Sequence, residues 1–173
     1  QLSAYGDALP DFIADFAPAR SVPYLADVAR LEWARSDSYF AKDASHLDPA
    51  SLQGLAPEGL ETLELTLHPT ARIVPSSFPI LTIWEINQPE VADIPAVDFS
   101  AAQRVLVVRR DDAVPMREIS LGDMALVTAL AAGATLSEAA EVAVALEEDF
   151  DLQTALQHHL LGGTFAALNA ETP

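Results

Sequence analysis

The run RVLVVRRDDAVPMREISL, residues 104–121, decides the fold. Arg104–Arg110 holds four consecutive aliphatic residues between arginines and reads as a strand. Asp111-Asp112-Ala113-Val114-Pro115 reads as a turn and Met116–Leu121 as a second strand, so the two form a hairpin. Three helix starts follow. Ser120 with Asp123 resembles a capping box before Met124–Ala132, which Gly133 ends. Thr135 with Glu138 is a capping box for a helix reaching Leu146. Asp149 or Asp151 caps a third helix, which runs to Leu161 and stops at Gly162-Gly163; Thr164–Leu168 returns as a short strand. A hairpin followed by three short helices is a winged-helix-like arrangement.

Upstream, Leu63, Leu65 and Leu67 alternate with Glu64, Thr66 and His68, the period of a half-buried strand. Arg72–Val74 and Phe78–Ile86 read as further strands, the latter with Ile80, Thr82, Trp84 and Ile86 on one face. Gln88–Ser100, with two prolines and three acids, is the best internal linker. Lys42–Gly59 reads as loop with one helical turn. The N-terminal third is helical: a short helix from Leu9 through Phe16, then a longer one over Pro23–Ala41. On that helix Leu31, Tyr24, Val28, Tyr39, Leu25, Ala29, Phe40 and Trp33 fill one apolar arc, with Glu32 in its middle and Arg35 near its edge. The expected class is α+β, with N-terminal helices, a central antiparallel sheet and a C-terminal winged-helix-like hairpin plus three helices. Residues 1–100 would form the helices and sheet and 101–173 a peptide-recognition unit, or both one compact domain.

The chain has 173 residues, of which 9 are Lys or Arg and 26 Asp or Glu, for a formal charge of −17. Half of it is hydrophobic, with mean hydropathy +0.20, which separates it from disordered acidic tails. It has no cysteine, which excludes disulfides, thiolate nucleophiles and Cys-ligated metals. No apolar run approaches the ~18 residues of a membrane span and no signal segment opens the chain, so a cytoplasmic protein away from membranes is expected. The chain begins at Gln1 without methionine, as a fragment of a longer protein would.

No glycine-rich phosphate loop, nucleophile elbow, His-Glu-x-x-His or EF-hand pattern occurs, so no catalytic residue, cofactor or metal site is expected. His158 and His159 are adjacent on a helix, point ~100° apart and cannot chelate as an i, i+4 pair; they read as polar helix surface. His68 ends a strand and reads as structural, and His46 carries no signal. Glu32, a carboxylate on an apolar arc, needs a partner, either Arg35 or an arginine of the sheet, unless it meets another protein. Duplex DNA would meet the third helix of a winged-helix unit, where Gln153 and Gln157 could reach adenine edges. That helix has no Lys or Arg, and seven acids lie between Asp123 and Asp151, so phosphate contacts are lacking. The one basic cluster is Arg104, Arg109, Arg110 and Arg117 on the hairpin. An extended peptide carrying acids could add there as an extra strand, unless the 61–86 sheet covers that edge.

Several stretches resemble the HvfC/BufC family. These are Tyr5-Gly6 with Leu9-Pro10-Asp11-Phe12-Ile13, then Pro23-Tyr24-Leu25-Ala26-Asp27-Val28-Ala29-Arg30-Leu31-Glu32-Trp33-Ala34. Leu67-His68-Pro69, Phe78-Pro79-Ile80-Leu81-Thr82-Ile83-Trp84 and Gly133-Ala134-Thr135-Leu136-Ser137-Glu138-Ala139 continue the likeness. The resemblance spans nearly the whole chain. Family members carry a further helical domain before the Tyr-Gly element, and that domain bears a DNA-binding label. The resemblance implies a non-catalytic partner protein of a TIM-barrel multinuclear iron enzyme that modifies cysteines of a ribosomally made precursor peptide. Such a partner would help to hold the peptide's leader. On this reading Arg104, Val105, Val107, Arg109 and Arg110, with Gln153 and Gln157, form the peptide groove, and Glu32, Trp33 and Trp84 meet the enzyme. The alternative from another class is a DNA-binding regulator.

Overall fold

In the computed structural model, which describes residues 6–53, 55–89 and 91–167, the run quoted above lies at the centre of the sheet. Strand β2 (Gln103–Val107) pairs antiparallel on one side with β1 (Arg72–Ser76) and on the other with β3 (Met116–Glu118). Val74 faces Val105 across the first pair, and Leu106 faces Arg117 across the second. The sheet is covered on both faces, which is why β2 is a continuous apolar run rather than an alternating one. Val105 and Val107 pack with Leu31, Ala34, Val74, Ile80 and Leu81, while Leu106 and Val108 pack with Ala71 and Ile119.

The first of those faces is built by helices α2 (Leu25–Phe40) and α4 (Ile80–Ile86), with α1 (Leu9–Asp15) packed on α2 and the short α3 (Pro57–Glu61) between α2 and α4 in the sequence. After β3 come α5 (Leu121–Ala131), α6 (Leu136–Leu146) and α7 (Leu152–Leu161). The architecture is α+β, with seven α-helices and one three-stranded antiparallel sheet among the described residues. Both expected capping boxes are present. Ser120 and Asp123 exchange bonds at the start of α5, and Thr135 and Glu138 do so at α6. Asp151, rather than Asp149, caps α7 by accepting from the Gln153 and Thr154 amides. Each cap contributes ~1 kcal/mol.

Two strand expectations are corrected. Phe78–Ile86 is not a strand: Ile80–Ile86 is helix α4, with Ile80, Leu81 and Ile83 buried. Its first amides find an acceptor outside the local sequence, because Gln103 Oε1 takes hydrogen bonds from Leu81 N (2.9 Å) and Thr82 N (3.3 Å). A short run that is apolar all round fits a buried helix as well as a strand, and this remote cap decides between them. The alternating Leu63–His68 stretch is extended, with Leu65 buried, but lies outside the sheet. It makes isolated bridges instead, Glu64 to Thr135 and Leu67 to Phe165. Within the expected Thr164–Leu168 strand, Phe165 and Ala166 form bridges, and Leu168 lies outside the described residues.

The C-terminal strap 163–167 runs between two earlier segments. His68 N donates to Thr164 O and Ala166 N to Thr66 O, while Leu47 N donates to Phe165 O. Phe165, 1 % exposed, sits in the core formed by α5, α6, α7, Leu47 and Leu65. The Gln88–Ser100 stretch has no helix or strand among its described residues, and its Phe99 stacks on Tyr24 (centroids 5.4 Å apart).

Candidate functional site

The apolar arc of α2 is wider than the surface that covers it. Ala26, Leu31, Ala34 and Ser38 are buried, but Tyr39 is 49 % exposed and Phe40 78 %. Their rings meet edge to face, with centroids 5.0 Å apart. Opposite them stands the β2–β3 turn, where Arg110 and Ala113 exchange both backbone hydrogen bonds around Asp111 and Asp112. Asp111 adopts a left-handed φ of 51°, a region that Asp and Asn enter more readily than other non-glycine residues. Between helix end and turn lies a groove of about 920 Å³, walled by Glu32, Arg35, Tyr39 and Phe40 on one side and Arg110–Pro115 on the other.

Glu32 is therefore not a buried acid. It is exposed on the groove wall and makes no ion pair among the described residues, since it lies one residue, and so ~100°, from the buried Leu31. Arg35 turns instead to Trp84, its guanidinium carbon 5.4 Å from the ring centroid. Trp33 is half-buried over Gly6, where a Cβ would clash with its ring.

The expected peptide edge on Arg104–Arg110 is not open. β2 is paired on both sides, so the sheet's outer strands are β1 and β3. Val105 and Val107 are fully buried core residues and cannot line a surface groove. Arg109 is 16 % exposed in its side chain and donates to Tyr39 O and Ala41 O at the C-terminal end of α2, as well as pairing with Asp43. Unpaired carbonyls at a helix end attract a cation in this way. Arg110 donates to Leu161 O (2.8 Å) and Arg117 points inward to His159. Arg104 is half-buried on β2, and Gln153 and Gln157 are exposed on α7. The structure does not bring these two glutamines into the groove.

Three histidines converge on the strap, which sequence reading missed. His159 is fully buried, not surface. Its Nε2 lies 3.0 Å from Asp123 Oδ1, while Nδ1 accepts from Arg117 Nη2 and Thr164 Oγ1, both at 3.1 Å. That pattern is satisfied by the neutral Nε2–H tautomer. Burial holds His159 below the ordinary histidine value against the opposing hydrogen bond to Asp123. Burial pushes the Asp123 carboxyl up, but hydrogen bonds from His159 and Ser120 outweigh it and leave the group below the usual carboxylate range. His68, also buried, accepts at Nδ1 from Thr70 and donates from Nε2 to Ala44 O (3.0 Å). His46 stacks on it with centroids 4.0 Å apart and donates from Nδ1 to Gly163 O (2.9 Å). Burial first, and then the His68 ring, hold His46 below its ordinary value. All three rings have local structural partners. No group of three or more His, Asp or Glu able to hold a metal gathers among the described residues, and no described helix is long and apolar enough to cross a membrane.

No family model, curated protein or solved structure matches this chain.

Proposed function

We propose that this chain is a recognition subunit that holds a segment of a partner polypeptide in the groove between the end of α2 and the β2–β3 turn. The observation that carries this reading is the exposure of Tyr39 and Phe40 beside a concave surface of about 920 Å³. Aromatic anchors next to a concavity are what protein interfaces use as energetic centres. The HvfC/BufC resemblance supplies the partners: a TIM-barrel multinuclear iron enzyme and the precursor peptide whose cysteines it modifies, with this chain adding no catalytic group. Glu32 on the groove wall and Trp84 beneath Arg35 are then part of, or next to, the contact. A DNA-binding role finds less support, because the exposed residues of α7, Gln153, Thr154, Gln157, His158 and Leu161, include no lysine or arginine to neutralise phosphates.

The test is co-expression with such an enzyme and peptide encoded beside this chain, followed by size-exclusion chromatography and hydrogen exchange. A stable complex with slowed exchange in residues 32–40 and 110–115 is expected, weakened in Phe40→Ser. No complex, or protection confined to other surfaces, would refute the groove as the contact.

A further inference from the structure

We infer that the groove selects a basic segment, one whose Lys or Arg side chains lie among aliphatic residues; this deepens the recognition reading above and rests on it. The groove lining carries three carboxylates and two guanidiniums, an excess of one negative charge. Both of its arginines are engaged: Arg35 is over Trp84 and Arg110 donates to Leu161 O. The carboxylates of Glu32, Asp111 and Asp112 have no ion pair or hydrogen bond among the described residues. Glu32 is on the helix wall and the two aspartates are on the turn facing it, so a ligand in the groove meets an unpaired carboxylate on either side, while the arginine of each wall is tied elsewhere.

The rest of the wall fits the same ligand. The exposed rings of Tyr39 and Phe40 offer faces to a guanidinium or ammonium, and their edges and Val114 and Pro115 offer apolar contact to its methylene stem. An acidic segment would meet three carboxylates against two guanidiniums already held by Trp84 and Leu161 O, within a chain of net charge −17. The sign is thus opposite to the one that the arginines of the hairpin sequence suggested, because three of those four side chains, Arg109, Arg110 and Arg117, point to carbonyls and to His159.

A short fluorescein-labelled peptide of Arg, Lys and Leu tests this by anisotropy at ~0.15 M salt, where surface charges separated by more than ~8 Å are screened. Two counterparts carry Glu or Gln in place of each Arg and Lys. The basic peptide is expected to bind best, and the triple variant Glu32→Gln, Asp111→Asn, Asp112→Asn to weaken it about tenfold. Asparagine keeps the left-handed turn at 111. A distal triple, Glu141→Gln, Glu148→Gln, Asp149→Asn, removes the same formal charge from exposed positions outside the groove and should leave affinity unchanged. Equal weakening by the distal triple would overturn the inference in favour of bulk attraction. Tighter binding of the Glu peptide, lost in Phe40→Ser, would overturn the basic preference while leaving the recognition groove standing. Binding of no peptide that depends on Phe40 would remove both.

Discussion

Replacing His159 by leucine tests the buried junction that fastens the last helix to the hairpin. The imidazole joins α5 through Asp123, β3 through Arg117 and the strap through Thr164, with no exposure of its own. Leucine fills similar space without polar atoms, so the change isolates the hydrogen bonds. Asp123 keeps one acceptor in use, since Ser120 N still donates to Oδ2 at 3.2 Å. The lost bond to the carboxylate is of the charged class, ~1.5–3 kcal/mol, and the stranded Thr164 hydroxyl adds ~1–3 kcal/mol. Together these predict a loss of ~2.5–6 kcal/mol in urea unfolding at pH 7.5, followed by circular dichroism. The pH dependence gives a second, independent readout. His159 is held below its unfolded value, near ~6.5, so between the two values the unfolded chain binds more protons. Its stabilisation is complete above ~6.5 and declines as pH falls through the folded-state value, with a slope of at most ~1.4 kcal/mol per pH unit. Acidification also relieves the repulsion of a −17 chain, which acts in the opposite direction, so both proteins are compared in ~0.3 M salt to screen that surface term. The leucine variant should lose part of the wild-type slope. A stability loss below ~1 kcal/mol together with an unchanged slope would refute the reading that this junction holds the C-terminal helices in place.

Gly163 has a φ of +71°, and a Cβ there would lie 2.7 Å from Arg110 Cδ and 2.8 Å from His46 Nδ1. Gly163→Ala should therefore cost more than the ~1–2 kcal/mol of left-handed strain alone, lower the melting temperature, and shift the His46 and His68 ring resonances in NMR. Gln103→Ala removes the acceptor for two amides of α4 and the donor to Thr82 Oγ1 and Glu118 Oε2, and at least ~1–2 kcal/mol lost in urea unfolding is expected; Gln103→Glu keeps the acceptor but faces the Glu118 carboxylate, so it should regain stability only when combined with Glu118→Gln. Thr135→Ala, which breaks the α6 capping box, should cost ~1 kcal/mol in the same assay and leave peptide binding in the groove unchanged.

What the sequence discloses divides by range. The capping boxes at Ser120 and Thr135 are complete within four residues, so their readings carry straight into the structure. The hairpin is equally local, with its turn marked by two aspartates and a proline. Helix α4 is not, because its amides are capped by a glutamine 22 residues further on, and the local run reads equally as helix or strand. His159 looks like helix surface for the same reason: its partners are Asp123, 36 residues earlier, and an arginine on another element. The alternation at Leu63–Leu67 correctly predicts an extended segment with a buried face, but period two does not specify a partner strand, and the strap supplies it. Tyr39 and Phe40 lie on an arc that periodicity assigns to the core. Periodicity registers which side chains would gain from cover, not whether anything covers them, and that difference is the candidate site.

The destination of the arginines explains why a basic hairpin sequence does not make a basic surface. A chain with nine cations and twenty-six acids has few positive groups for its own carbonyl ends and buried acceptors. Arg109 closes the C-terminal end of α2, Arg110 reaches the last carbonyl of α7, Arg117 serves His159, and Arg72 binds Asp37 with the carbonyls of Pro69 and Ala71. These contacts fix the long side chains and direct their charge into the protein, while the uncompensated acids remain outside. A guanidinium can bridge several carbonyls at once through its planar fork, which lysine cannot, and the chain has eight arginines but only Lys42. Replacing Arg109 by lysine should consequently weaken the tie between the hairpin and α2 while keeping the formal charge. If the hairpin arginines instead served an acidic ligand through charge alone, Arg109→Lys would preserve both stability and ligand affinity. Unfolding and peptide anisotropy measured on that one variant separate the two roles.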